Sequence, residues 1–189
     1  NLTMEIEELP FSVKPEKKLS VSDVMALFRE TYEGTPYDMT KNLMITVRKK
    51  DEAGNEVTDT VKSPAFNNWM NNDIRTLINE LKPGTIERQR TIAIAGCSYS
   101  HVIQCRSWLP DEVGAVAWFS FDNPGQSPRI PIFSGTMALP QSFRICGQHR
   151  YREDAAIWSF REANRLSAVN WDRGRKLLEP AVAEMEQKA

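Results

Sequence analysis

The sequence predicts an α+β fold, and three observations support that prediction. The apolar residues first follow helical spacing, then fall in short runs rich in β-branched and aromatic residues, and return to helical spacing near the end. The resulting order is helix, hairpin, helix, several strands and two helices, which is typical of antiparallel strands covered by helices. A length of 189 residues with 41% apolar content is enough for a hydrophobic core. Residues 1–189 are therefore predicted to form a single domain or one part of a larger domain.

The first predicted helix covers residues 21–32 and follows an extended lead-in. Ser20 and Asp23 form the pattern of a capping box, which is typical of a helix start. The Gly-Thr-Pro of residues 34–36 then interrupts the helical pattern. A hairpin with a polar tip is predicted over residues 43–61, because two apolar runs flank a charged segment.

The second predicted helix is strongly amphipathic. Ser63 as N-cap and Pro64 at the first helical position predict its start, and the Lys-Pro-Gly of residues 82–84 predicts its end. Its apolar stripe consists of Phe66, Trp69, Met70, Ile74, Leu77, Ile78 and Leu81. We expect this stripe to dock on another surface.

Four consecutive antiparallel strands are predicted in the middle of the chain. They cover residues 91–95, 100–106, 113–121 and 129–133. Residues 134–148 are predicted to be a loop. A helix is predicted at about 153–168, and a last helix after it is predicted to be broken or kinked near Pro180. Trp69, Trp118 and Trp158 are predicted to be buried, because each has apolar neighbours on its stripe or strand.

The charge balance excludes several partners. The 24 Lys and Arg nearly match the 25 Asp and Glu, so the net charge of -1 provides no attraction to nucleic acid or to an anionic membrane. No apolar run reaches the length of a membrane span. Three cysteines form no disulfide framework and leave the compartment open between cytoplasm and secretion.

Four common catalytic and cofactor motifs do not occur in the sequence. It contains no phosphate-binding loop, no dinucleotide fingerprint, no zincin helix and no nucleophile elbow. It also has no C-x-x-C pair, which most zinc sites would require. We therefore expect neither a metal nor a cofactor.

The three cysteines are predicted to be structural and buried. Cys105 and His101 are four residues apart on a predicted strand, about 13 Å along it, so they cannot form a hydrogen-bonded pair. Cys97 is also predicted among apolar strand residues. Cys97 and Cys105 are therefore expected to be inert, and Cys146, in a loop near His149, is the single thiol expected to be alkylated, slowly, in the native state.

A small polar site is conceivable at the end of the first helix. Arg29, Glu30 and Glu33 lie next to one another just before the Gly-Thr-Pro turn. A solvated helix end explains the same pattern.

Two longer stretches resemble one known family. Residues 21–41, with the segment Tyr-Glu-Gly-Thr-Pro-Tyr-Asp at 32–38, closely resemble the cysteine dipeptidases of the dipeptidase A type, a family that includes the secernins. Residues 97–119 resemble that family's paired strands around Q-x-R-x-W-L-P and G-x-x-W. Residues 131–135 and 155–160 follow in the expected order, whereas the segment 43–86 has no counterpart that we recognise.

The resemblance implies an N-terminal-nucleophile hydrolase that cleaves dipeptides without a metal. It implies an α/β/β/α sandwich and a catalytic cysteine exposed as the first residue, whose own α-amine acts as the base. Residue 1 here is Asn, and the first cysteine is Cys97. The resemblance therefore implies that the nucleophile lies upstream of Asn1, that no catalytic residue lies in this chain, and that the chain is the C-terminal part of a larger dipeptidase and inactive by itself.

The resemblance also implies which residues line a dipeptide cleft. The substrate-binding candidates within the matching motifs are Tyr37, Asp38, Tyr99, His101 and Arg106. The expected partners are the dipeptide and the N-terminal remainder of the same protein, and apolar surface left by that remainder predicts self-association. Two alternatives stay open: a non-catalytic binding or structural module with the family fold, and a hydrolase that uses Cys146 with His149.

Overall fold

A computed structural model describes residues 10–189, so the first half of the predicted lead-in lies outside the described residues. The chain folds into helices and antiparallel strands, which confirms the α+β prediction. The helices are α1 Val21–Phe28, α2 Asn72–Leu81, α3 Asp111–Gly114, α4 Gln141–Arg144, α5 Ala156–Val169 and α6 Trp171–Lys188. The strands are β1 Met44–Lys50, β2 Glu56–Lys62, β3 Tyr99–Cys105, β4 Ala115–Phe121 and β5 Ile130–Phe133. No helix within residues 10–189 is long and apolar enough to cross a membrane.

The described strands form two separate sheets. β1 and β2 make the predicted hairpin, with Met44 opposite Lys62 and Lys50 opposite Glu56. β3, β4 and β5 form a three-stranded antiparallel sheet with β4 in the centre. The strand predicted at residues 91–95 does not form. That segment is a partly buried loop, in which the Ala93 N–H donates to the carbonyl of Glu30 at 3.1 Å.

Helix α1 begins as the sequence predicts and ends earlier. Ser20 and Asp23 form the capping box, with the Asp23 N–H donating to Ser20 Oγ at 3.1 Å. The helix ends at Phe28 with Arg29 as its C-cap, and it cannot extend to the predicted residue 32 because the φ of Tyr32 is +61°. A positive φ cannot continue a right-handed helix.

Helix α2 is shorter than predicted at its start. Its N-cap is Asn71, whose side chain accepts from the Asp73 N–H, and not Ser63. Ser63 caps only a single turn, where it accepts from the Ala65 N–H at 3.3 Å. Phe66 is buried in that turn, whereas no residue of α2 itself is buried. The apolar stripe of α2 therefore does not dock within the described part of the chain.

Helices α5 and α6 pack against each other at a glycine. A Cβ on Gly174 would lie 2.6 Å from the Cα of Ser167, so only glycine permits this approach. α6 is continuous through Pro180, where a break or kink was expected. The predicted loop 134–148 contains the short helix α4.

The core lies between the three-stranded sheet, α1 and the two last helices. Ser100 and Val102 of β3 are buried and Gln104 is half-buried, whereas the odd-numbered residues of this strand face outward. The prediction that three tryptophans are fully buried is wrong. Trp69, Trp118 and Trp158 are half-buried, because each directs its indole N–H to an acceptor at the rim of the core, and Trp171 is the buried one.

Candidate functional site

The segment 32–38 is a tight loop fastened by the buried carboxylate of Asp38. The side chain of Asp38 accepts from the Gly34 N–H at 3.1 Å, and from the Thr40 N–H and hydroxyl at 2.8 Å each. Lys62, at the end of β2, completes this arrangement with an ammonium 3.0 Å from Asp38 Oδ2. Both carboxylate oxygens are thus occupied by protein donors.

The pKa of Asp38 reflects the same contacts. Burial raises the pKa of this carboxyl, but the hydrogen bonds from Gly34, Thr40 and Lys62 outweigh burial and lower it below its ordinary value. Asp38 is therefore ionised at neutral pH and positions the loop. Tyr37 lies beside it, is exposed, and makes an edge contact with Tyr32 at 6.4 Å between ring centroids.

A chain of ion pairs connects this loop to α6. Glu33 pairs with Arg175 at 2.9 Å and lies 3.8 Å from the ammonium of Lys62. Arg29, at the end of α1, pairs with Glu186 near the end of α6. Arg29 and Glu33 at the end of the first helix are thus partly buried and paired across the fold, whereas Glu30 accepts locally from the Tyr32 N–H.

These ion pairs line a cavity of about 310 Å³. The rings of Trp69 and Trp171 meet edge to face at 5.1 Å in its wall. The guanidinium of Arg175 lies 5.4 Å from the Trp171 ring centre. The cavity is large enough for a small molecule and combines aromatic surface with charges of both signs.

The remaining candidates lie on the three-stranded sheet. Tyr99 and His101 are exposed on the outward face of β3, where their rings stack at 6.2 Å. Tyr99 also stacks on Phe119 of β4 at 5.8 Å. Arg106 follows the far end of β3, about 20 Å along the strand from Tyr99. Its guanidinium donates to the Val113 carbonyl and so closes the loop before β4.

The five candidates therefore form three groups within residues 10–189. Tyr37 and Asp38 belong to the loop at the end of α1, Tyr99 and His101 to the outer sheet face, and Arg106 to the β3–β4 connection. No hydrogen bond or ring contact joins one group to another in the described residues.

The prediction that all three cysteines are buried is wrong. Cys105 and Cys146 are exposed and Cys97 is partly exposed. Cys105 occupies an odd-numbered position of β3, and this face of the strand is open. The Cys97 thiol donates to the Tyr99 carbonyl at 3.0 Å. No hydrogen bond joins Cys146 to His149, and no group of three or more His, Cys, Asp or Glu within residues 10–189 could hold a metal ion.

A buried polar network after β4 was missed by the sequence analysis. Asp122 accepts from Arg161 Nε at 3.0 Å and from Asn164 Nδ2 at 2.9 Å, and its φ is +58°. Gln126 donates to Ser167 Oγ at 2.8 Å. Asp122, Asn123, Pro124 and Gly125 are typical turn residues, so the sequence predicts only a surface turn. The strand predicted at 129–133 is confirmed as β5, but the sequence did not predict that Arg129, next to its start, is a fully buried cation.

Comparisons with known proteins agree with the resemblance of the motifs. The sequence matches the family model of Peptidase family C69 over residues 2–184. A protein from Latilactobacillus sakei named "Probable dipeptidase" is 26% identical over 140 residues, which cover 74% of this chain and 22% of that protein. The match thus spans less than a quarter of that relative's length. No solved structure matches the chain. Because the family match covers nearly all of the sequence, the chain belongs to peptidase family C69.

Proposed function

We propose that this chain is the C-terminal part of a cysteine dipeptidase that hydrolyses dipeptides through an N-terminal cysteine located outside the chain. The observation that carries the proposal is the family match over residues 2–184. The likeness to a probable dipeptidase supports dipeptides as the substrate class. The match covers 22% of that protein, which supports the proposal that this chain is part of a longer protein.

The chemistry of Cys97 and Cys105 supports a nucleophile elsewhere. A thiol attacks a peptide carbonyl as thiolate, which needs an adjacent base or cation held within hydrogen-bond distance. The Cys97 thiol donates a hydrogen bond to the Tyr99 carbonyl oxygen. A carbonyl oxygen is too weak a base to remove the thiol proton and form the thiolate. Cys105 lies on the same strand as His101, four residues away, and the two side chains cannot meet.

In this proposal the described residues shape the substrate cleft. Asp38 holds the 32–38 loop in one conformation through four donors, so Tyr37 is presented from a fixed backbone. Tyr99 and His101 offer an exposed aromatic surface on the sheet. The two groups are separate within the described residues, so in this proposal the remainder of the protein completes the cleft and supplies the cysteine at which hydrolysis occurs.

The test compares the 189-residue chain with the longer natural protein that contains it. Both are incubated with a panel of unblocked dipeptides, and released amino acids are quantified. We expect no release by the chain alone and release by the longer protein, with loss of activity after iodoacetamide modifies its N-terminal cysteine.

The variant Cys146→Ser separates this proposal from a hydrolase that uses Cys146 with His149. If the purified chain alone hydrolyses dipeptides and Cys146→Ser abolishes the activity, the mid-chain thiol is the nucleophile and our proposal fails. If the longer protein binds dipeptides but releases no amino acid, the non-catalytic module is the correct alternative.

A further inference from the structure

Arg129 is the most deeply buried cation among the described residues. Its residue is 1% exposed, and its guanidinium lies 5.2 Å from the ring centre of Phe28. Nη1 donates to Ser100 Oγ at 3.2 Å. Phe28 is about one third exposed, so the guanidinium lies one side chain beneath the surface.

The opposite edge of this guanidinium has no partner. Nε and Nη2 of Arg129 are buried, and neither donates to any acceptor among residues 10–189. These two nitrogens direct their hydrogens from one edge of the planar group, which fits the two oxygens of a carboxylate. Arg152 shows the filled arrangement in the same chain, where Nε and Nη2 donate to the two oxygens of Asp154 at 2.9 and 2.7 Å.

The surroundings of Arg129 lack one negative charge. Its backbone N–H donates to Glu186 Oε1 at 2.7 Å, and the same oxygen is bound by the Arg29 guanidinium. The carboxylate of Glu186 is thus paired with Arg29, and no carboxylate among residues 10–189 forms an ion pair with the Arg129 guanidinium. Burial, and next the charge of Arg29, lower the pKa of Arg129, which Glu186 and Cys97 offset only in part.

A buried charge with unmade hydrogen bonds is costly, and native proteins rarely keep one without a partner. We propose that the Nε and Nη2 edge of Arg129 binds the free carboxylate of a short peptide. This inference rests on the proposed function for its choice of ligand, since dipeptides carry that carboxylate. The charges of Arg29 and Glu186 offset each other nearby, so the Arg129 guanidinium is the cation that the peptide carboxylate neutralises.

The experiment measures binding of L-alanyl-L-alanine and of its C-terminal amide to the full 189-residue chain by titration calorimetry, with thermal unfolding as a second readout. We expect the free acid to bind about tenfold or more tightly than the amide, because hydrogen bonds to a charged group contribute about 1.5 to 3 kcal/mol, or about 10 to 150-fold. The ratio of the affinity for the free acid to the affinity for the amide should fall to about one in Arg129→Met. Methionine fills the space with a long apolar side chain but has no hydrogen-bond donors.

Arg129→Lys and Arg152→Met complete the design. Lysine keeps the charge but not the paired donors, so an intermediate acid-to-amide ratio is expected. If Arg129→Met fails to fold, the acid-to-amide affinity ratio of Arg129→Lys still tests the proposal. Arg152→Met removes an exposed bidentate arginine and should leave the ratio of the wild-type chain unchanged.

Equal affinity for the acid and the amide in the wild-type chain would overturn the proposal. Acetate that binds as tightly as the dipeptide would overturn the choice of a peptide as ligand. The assay needs no turnover, so its outcome is independent of whether the longer protein hydrolyses dipeptides. Acid selectivity without hydrolysis would reject the dipeptidase, and hydrolysis without acid selectivity would reject the Arg129 site.

Discussion

Three charged side chains are buried among residues 10–189, each in or next to a loop, and each offsets the cost of burial in a different way. Asp38 satisfies both oxygens with four donors. The Asp122 carboxylate is neutralised by Arg161 and also accepts from Asn164. These contacts hold the backbone of Asp122 at a positive φ. Arg129 retains two unpaired nitrogens. The hydrogen bonds of the two aspartates are complete, whereas the unpaired edge of the buried Arg129 cation requires an explanation, which the proposed carboxylate ligand supplies.

The substitution Asp38→Asn should lower the free energy of unfolding by about 1.5 to 3 kcal/mol at neutral pH, because charge-assisted hydrogen bonds become neutral ones. The pKa of Asp38 lies below its ordinary value, so its stabilising effect is present above that ordinary value and is lost as pH falls through the pKa of the folded state. The difference between wild type and variant, measured by urea unfolding, should therefore shrink in acid.

Asp154→Asn is the matched control for this carboxylate. Asp154 forms an exposed pair with Arg152, and such pairs contribute about 0 to 1 kcal/mol. An Asp38→Asn variant as stable as Asp154→Asn at neutral pH would show that the buried contacts do not stabilise the loop.

The three thiols should differ in their rate of alkylation in the folded chain. Cys105 and Cys146 are exposed, whereas Cys97 is partly covered and donates to the Tyr99 carbonyl. We expect iodoacetamide to modify Cys105 and Cys146 first and Cys97 last, as measured by peptide mass spectrometry. All three should react equally in denaturant, and a native Cys97 that reacts first would contradict this order.

At the scale of elements, helix pairing depends on a close approach that helix propensity opposes. Gly174 lies inside α6, where alanine would favour the helix by about 1 kcal/mol. The backbone of Ser167 at the crossing of α5 leaves no room for a Cβ. The packing requirement decides the residue, because backbone atoms of a helix cannot move aside as a flexible side chain can.

Gly174→Ala should accordingly destabilise the chain, by about 1 to 3 kcal/mol, as expected of overpacking at a rigid site. Thermal unfolding measures the effect. Ala181→Gly, at an exposed position of the same helix, should lose about 1 kcal/mol from helix propensity alone. An increase in stability for Gly174→Ala would show that α5 and α6 do not pack this closely.

Pro180 gives the opposite expectation in the same helix. It is exposed and removes one backbone donor from the continuous α6. Pro180→Ala should raise the free energy of unfolding by about 1 to 3 kcal/mol, because alanine restores the hydrogen bond and relieves the clash of the ring. Urea unfolding that shows no gain would mean that α6 is already interrupted at this residue in solution.

On the scale of the whole molecule, large apolar surfaces stay exposed. Ile74, Leu77 and Leu81 form a continuous stripe along α2, and the outward face of the sheet exposes Tyr99 and Ile103. Contiguous apolar surface of this kind is typical of an interface. We expect the isolated chain to self-associate through such surfaces.

Sedimentation velocity over a range of concentrations tests this expectation. Leu77→Lys should weaken association about tenfold, because a buried leucine contributes about 1.5 to 3 kcal/mol. Thr76→Lys adds the same charge at an exposed position on the opposite side of α2 and should have little effect. A monomer at all concentrations in the wild-type chain would contradict the prediction.

The sequence by itself determined the α+β class, the start of α1, the β1–β2 hairpin and the peptidase family. Those features depend on local signals, namely a capping box, alternating apolar runs and motifs of contiguous residues. The tertiary structure alone decided that residues 91–95 form a loop, that Cys105 is exposed, and that Arg129 is buried without a carboxylate. Burial and the partners of a charged group depend on segments far apart in sequence, such as Arg29 and Glu186, which no local pattern brings together.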